Sequence, residues 1–206
     1  METKMCSKCK TPKLTTEMVR HKGSSDGLSS WCLECHRKVT TQQQHTKQAL
    51  VNSFKIGPCT DCHLVFPTCC MDFDHVFGTK FRGIGQLMTS RKDESILREM
   101  SKCELVCSVC HRLRTNIRNG EPKSKRWLSF YSKLKPLKES PCVDCGLSFH
   151  PCCMDFDHVR GDKVLVISKM FTCSWERVLQ EIEKCDLVCA NCHRIRTNLR
   201  RILEAA

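Results

Sequence analysis

The chain has 206 residues, 19 of them cysteine, with 34 lysines and arginines against 22 acids and a formal charge of +12. Hydrophobic residues make up 40% and aromatics 6%, which excludes a single large aromatic core, and no stretch approaches the roughly 18 apolar residues of a membrane span. The N-terminus runs into a Cys motif at Cys6 with no apolar signal-peptide core. An intracellular, reducing compartment is therefore expected, where so many cysteines serve as metal thiolates rather than disulfides. The charge points to a polyanionic partner, most simply nucleic acid.

In chain order, residues 1–55 carry a Cys-x-x-Cys pair at Cys6 and Cys9 and another at Cys32 and Cys35, followed by a connecting helix. Residues 56–120 and 140–206 are two copies of one module. Each copy opens on Pro-Cys-x-Asp-Cys, at 58–62 and 141–145, and reaches Cys-Cys-Met-Asp-Phe-Asp-His-Val at 69–76 and 152–159. Each closes on Lys-Cys-(Glu/Asp)-Leu-Val-Cys-x-x-Cys-His-Arg, from Lys102 and Lys184. The alternation in Met-Asp-Phe-Asp-His-Val predicts a strand. Ile96, Leu97 and Met100, matched by Val178, Leu179 and Ile182 after a Ser174 cap, predict a helix. A last helix follows the final Cys pair, with Ile195, Leu199 and Ile202 on one side and His193, Arg196, Thr197 and Arg200 on another. Each copy thus reads strand, helix, helix, with a hairpin expected after its first Cys pair. Residues 121–139 form a basic linker with a short amphipathic helix through Trp127, Leu128, Phe130, Tyr131 and Leu134, expected to dock on a neighbouring module.

Paired Cys-x-x-Cys knuckles place four thiolates around one tetrahedral ion, and soft sulfur favours zinc. The quartets are Cys6, Cys9, Cys32, Cys35; Cys59, Cys62, Cys107, Cys110; and Cys142, Cys145, Cys189, Cys192. Three structural Zn²⁺ ions are expected, since modules of roughly 60 residues bury little surface and need such staples. Each four-thiolate site carries a net −2, so three of them bring +12 down to +6, and two further divalent ions return it to +10. Cys69, Cys70, Cys103, Cys152, Cys153, Cys173 and Cys185 remain, read first as small buried hydrophobes, with alternative ligation or redox switching left open.

Both copies also hold an Asp-His pair, Asp74-His75 and Asp157-His158, and a histidine directly after the last cysteine, His111 and His193. With the four cysteines, this set resembles the HNH endonucleases, the ββα-metal or His-Me finger nucleases. The phage junction-resolving endonuclease VII is a more distant likeness. The resemblance covers about 120 of the 206 residues. It implies an α+β protein of small zinc-stapled modules: two ββα-metal, treble-clef-like domains in tandem after an N-terminal zinc finger.

It further implies that Asp74 and His111 hold one catalytic Mg²⁺ (or Mn²⁺), that Asp157 and His193 hold another, and that His75 and His158 act as general bases. Products would be 5′-phosphate and 3′-hydroxyl ends. Where the family carries an Asn before the last Cys pair, these copies read Ser101-Lys102-Cys103-Glu104 and Glu183-Lys184-Cys185-Asp186. Adjacent strand residues point to opposite faces, so Asp74 and His75 share a site only if the strand twists or ends there. Asp72 and Asp155 share the face of the candidate ligand without an assigned role.

Arg114 and Arg118, three and seven residues beyond His111, and Arg196 and Arg200 beyond His193, fall on the metal-facing side and are expected to contact phosphate. Lysines 123, 125, 133, 135 and 138, with His36, Arg37 and Lys38, would extend the footprint on double-stranded or branched DNA. The expected function is a metal-dependent DNA endonuclease with two sites in one chain, a monomeric pseudo-dimer. The alternative is a non-catalytic nucleic-acid-binding or assembly protein on degenerate HNH modules.

Overall fold

A computed structural model describes residues 2–89, 92–120 and 124–205; Lys123 of the expected basic footprint lies outside them. In chain order the elements are β1 (Thr3–Met5), β2 (Pro12–Leu14), β3 (Met18–Arg20), β4 (Leu28–Cys32), α1 (Leu33–Ser53), β5 (Met71–His75), α2 (Ile84–Leu87), α3 (Asp93–Met100), β6 (Cys103–Cys107), α4 (Ser108–Asn119), α5 (Lys125–Leu134), β7 (Met154–His158), α6 (Trp175–Ile182), β8 (Cys185–Cys189) and α7 (Ala190–Ala205). The protein is mixed α+β. Its strands form small two-stranded sheets, β1–β2, β3–β4, β5–β6 and β7–β8, and each pair is antiparallel. Among the described residues no helix is long and apolar enough to cross a membrane.

The chain divides into two compact units, residues 1–54 with 80–99, and residues 55–79 with 100–206. In the first, Cys6 and Cys9 sit in the turn between β1 and β2, Cys32 ends β4 and Cys35 lies in the first turn of α1. Cys6, Met18 and Cys32 form the small buried cluster beneath them. The long α1 is polar nearly all round, with Val51 its buried residue. A helix of that kind draws little stability from packing. The zinc knuckle at its start is the fixed end.

In the second unit the Met-Asp-Phe-Asp-His run forms the strand the alternation predicts, in both copies. Its partner is a strand that the sequence reading missed. Cys103–Cys107 pairs with β5 from Met71↔Cys107 to His75↔Cys103, and Cys185–Cys189 pairs with β7 in the same register. The second copy therefore runs β7, α6, β8, α7, and the first runs β5, α2, α3, β6, α4, with the short α2 in addition. The hairpin expected after the first Cys pair is reduced, in the first copy, to a lone bridge between Pro58 and Val65. There Cys59 to Cys62 form a metal knuckle, and the N–H of His63 bonds back to the Cys59 carbonyl at 2.9 Å. A ligand loop of that shape leaves no room for a ladder.

The two copies are not beads on a linker. Met71, Val106 and Val109 from the first pack into one buried cluster with Met154, Val188 and Ala190 from the second. A module this small cannot bury a core alone, and doubling the buried apolar area offsets the ordering entropy. The linker helix α5 docks as expected: Phe130 and Leu134 are buried with Ile167, Met170 and Val178 of the second copy. Trp127 stacks on Tyr131 with ring centroids 5.1 Å apart.

Candidate metal centres and the inter-repeat network

Three groups of four cysteines converge, with the four sulfurs of each within 4.8 Å of one another: Cys6, Cys9, Cys32, Cys35; Cys59, Cys62, Cys107, Cys110; and Cys142, Cys145, Cys189, Cys192. These are the quartets the spacing predicts, and the donor set fits structural zinc. The local chemistry shows why a cation belongs there. Burial opposes ionisation of Cys59, but the backbone N–H groups of Cys62 and Cys107 outweigh it and pull the thiol down to about 7. Cys142 is pulled to about 7 by the matching groups. Burial and the adjacent thiolates push Cys110 and Cys192 far up. Four thiols this close cannot all ionise until a metal takes up the charge.

The knuckle also starts the helix. The sulfur of Cys107 accepts the N–H of Cys110, and Cys32 and Cys189 do the same for Cys35 and Cys192. The sulfur there is the N-cap, satisfying an orphan amide, and as a metal-bound thiolate it would face the positive end of the helix dipole. The histidine after the last cysteine is thereby held in the first turn, directed at the strand.

In the first repeat, His111 Nδ1 is 2.9 Å from Asp72 Oδ2, and its Nε2 is 3.4 Å from Asp74 Oδ1. In the second, His193 Nδ1 is 2.8 Å from Asp155 Oδ2, and its Nε2 is 3.5 Å from Asp157 Oδ1. With Nδ1–H donated to a carboxylate, a neutral ring would present its Nε2 lone pair to an ion shared with the second aspartate. Two ligand atoms at that separation suit one ion with bonds of about 2.1 Å. Asp74 and Asp157 are buried, with 4% and 3% of their surface exposed. Burial alone would raise their pKa values. The arginine hydrogen bonds reverse this, from Arg118 and Arg114 on Asp74, and from Arg200 and Arg196 on Asp157, and both carboxyls are lowered.

These arginines, expected to contact phosphate, lie on the face of the helix histidine, and their donors turn inward to acids. Arg114 joins Asp61, Asp74 and Glu104, while Arg196 joins Asp144, Asp157 and Asp186. Arg118 Nη2 lies 2.7 Å from both carboxylate oxygens of Asp74, and Arg200 makes the matching fork to Asp157 at 2.9 and 2.6 Å. A buried carboxylate needs a cation, and the arginine supplies one. Of each pair, Arg118 and Arg200 are about half exposed and have room to leave.

The expected bases fall on the other face. β7 stays regular through the Asp157↔Asp186 and His158↔Cys185 pairs, so the two side chains diverge. Asp157 meets α7, whereas His158 Nε2 lies 2.8 Å from Glu181 Oε1 on α6. Glu181 is 3% exposed, and the ammonium of Lys184, helped by the Val164 N–H and by His158, holds it at about 2 against burial. His75 occupies the matching place at the end of β5. Each strand ends at its histidine, so His75 and His158 lie on one face of the strand terminus and Asp74 and Asp157 on the other.

Residues with no role in the sequence reading carry the join between the copies. Asp72 receives Arg194 of the second repeat at 2.7 and 2.9 Å, and Asp155 receives Arg112 of the first at 2.7 and 2.8 Å. Asn191 Oδ1 accepts from Ser108 Oγ at 2.6 Å and from the Val109 N–H at 3.3 Å. Two of the seven surplus cysteines are part of this seam. Cys70 Sγ–H points to the Asn191 carbonyl and Cys153 Sγ–H to the Val109 carbonyl, both at 3.3 Å. Burial pushes both thiols up to about 12, so they stay protonated donors. The signal for the seam was present, since Arg follows each Cys-His and Asp precedes each Phe-Asp-His. A repeat pattern shows such residues without showing that they cross.

The chain has no match among protein-family models, curated proteins or solved structures.

Proposed function

We propose that the protein is a metal-dependent endonuclease acting on DNA, with one candidate site in each repeat. The observation that carries this reading is the doubled Asp–His–Asp arrangement. In each repeat a helix histidine is anchored through Nδ1 and offers Nε2 to a buried aspartate 3.4 or 3.5 Å away. Asp74 with His111, and Asp157 with His193, would hold Mg²⁺ or Mn²⁺. Such an ion, when bound, polarises the scissile phosphate and stabilises the leaving oxygen. The protein's own residues do the rest. Glu181 keeps His158 in the Nε2–H tautomer, leaving Nδ1 to accept a proton from the attacking water. Arg118 and Arg200, released from aspartate, are placed to take a phosphate oxygen. The zinc knuckles fix both helix starts, and the basic residues of α5 extend the contact.

The nicking of supercoiled plasmid by His75→Ala and His158→Ala tests the division of labour between the sites. Each single variant is expected to nick one strand and to lose linearisation. Parental double-strand cutting by either variant would refute the assignment.

The second reading, a non-catalytic DNA-binding scaffold, draws on the arginines that already fill Asp74 and Asp157. Tight DNA binding with no cleavage in Mg²⁺ or Mn²⁺ would select it.

A further inference from the structure

The reciprocal salt bridges do more than join the repeats. Asp72 accepts the His111 Nδ1–H on Oδ2, and both its oxygens are gripped by the Arg194 fork of the other repeat. Asp155, His193 and Arg112 repeat the arrangement in reverse. A bidentate guanidinium fixes the plane of a carboxylate. A fixed carboxylate selects one tautomer and one ring orientation of its histidine, which sets the direction of the free Nε2 lone pair.

We propose that Arg194 and Arg112 are positioning residues acting across the seam, each orienting the metal-facing histidine of the opposite repeat. Neither centre is complete within its own repeat: His111 is aimed by the second copy and His193 by the first. The duplication then has a physical use, because the two copies supply each other's clamps and stay paired in one chain. The catalytic consequence rests on the endonuclease reading, whereas the orienting role can be read without it.

The test uses the full-length, zinc-loaded protein with Arg194→Met and Arg112→Met, each checked for retained zinc. Imidazole nitrogen chemical shifts report the tautomers. The parent is expected to hold His111 and His193 as Nδ1–H. Arg194→Met is expected to shift His111 to a mixture and leave His193 unchanged, and Arg112→Met to do the reverse. In a His193→Ala background, where the first site works alone, Arg194→Met should lower Mn²⁺ affinity and cleavage about 10- to 100-fold. Arg112→Met should change them less than about twofold in that background. Should Arg194→Met lose zinc, Arg194→Lys carries the test, keeping the charge without the fork and giving the same crossed pattern more weakly.

The proposal is overturned if each arginine affects its own repeat's histidine, if either affects both alike, or if neither tautomer moves. Crossed tautomer shifts in a protein that cleaves nothing would sustain the clamp and remove the endonuclease reading instead.

Discussion

At the scale of single residues, the knuckles show what a metal turn asks of the backbone. The position after the second cysteine of the pair takes a left-handed φ in all three modules: 60° at Lys10, 58° at His63 and 70° at Gly146. Side chains with a Cβ tolerate that region poorly, and glycine tolerates it freely. His63→Gly is therefore expected to stabilise the protein by about 1 kcal/mol and Gly146→Ala to destabilise it by a similar amount. Denaturant midpoints at fixed zinc decide the matter, and a destabilising His63→Gly would contradict it. Arg118 gives a second test. Its guanidinium fills the mouth of Asp74, so a divalent ion must displace it. Arg118→Gln should tighten Mn²⁺ binding at the first site about fivefold, the equivalent of an ion pair of about 1 kcal/mol. Unchanged or weaker binding by electron paramagnetic resonance would show that the arginine does not compete.

At the scale of elements, the strand carrying Asp74 and Asp157 was legible because its side chains alternate cleanly. Its partner was not. In Cys-Glu-Leu-Val-Cys the strand ends on a metal-linked cysteine, Cys107 or Cys189, and begins on a cysteine outside the quartets, so ligand spacing cuts the apolar pattern short. The divergence of Asp157 and His158 follows from strand geometry once that partner is known, because regular pairing keeps successive side chains on opposite faces. The seam lies between elements of opposite repeats, and its key residue breaks the repeat: Asn191 stands where the first copy has Val109. Asn191→Ala leaves the Ser108 hydroxyl and the Val109 amide without their buried acceptor. We expect a loss of about 1–3 kcal/mol. Val109→Asn, which adds a second polar group against the same interface, should not restore it. Equal stability of Asn191→Ala and parent would mean that the seam relaxes around the gap.

At the scale of the whole molecule, the zinc sites were the most legible feature, because tetrahedral ligation dictates cysteine spacing directly. The shared core was the least, since nothing in a repeat pattern says whether the copies touch. Zinc and folding are linked through protons. With Cys59 and Cys142 near 7 and Cys110 and Cys192 pushed far above it, a metal-free repeat site at pH 7 keeps most of its thiol protons. Binding should release about three protons per repeat site, so affinity rises about a thousandfold per pH unit and is lost as pH falls. Chelator competition at two pH values checks this; a slope near one proton would contradict it. Removal of zinc should unfold the second unit as a whole, because Cys59 and Cys142 lie in its common buried cluster.

Whether two metal-dependent centres cut DNA is decided by cleavage of supercoiled and branched DNA by the zinc-loaded protein in Mg²⁺ or Mn²⁺. The parent would be compared with an Asp74→Asn, Asp157→Asn double variant of equal zinc content. We expect nicking and linearisation by the parent, none in EDTA, and none by the double variant although it still binds DNA. Cleavage by the double variant at the parental rate, or none by the parent with either ion, would contradict this.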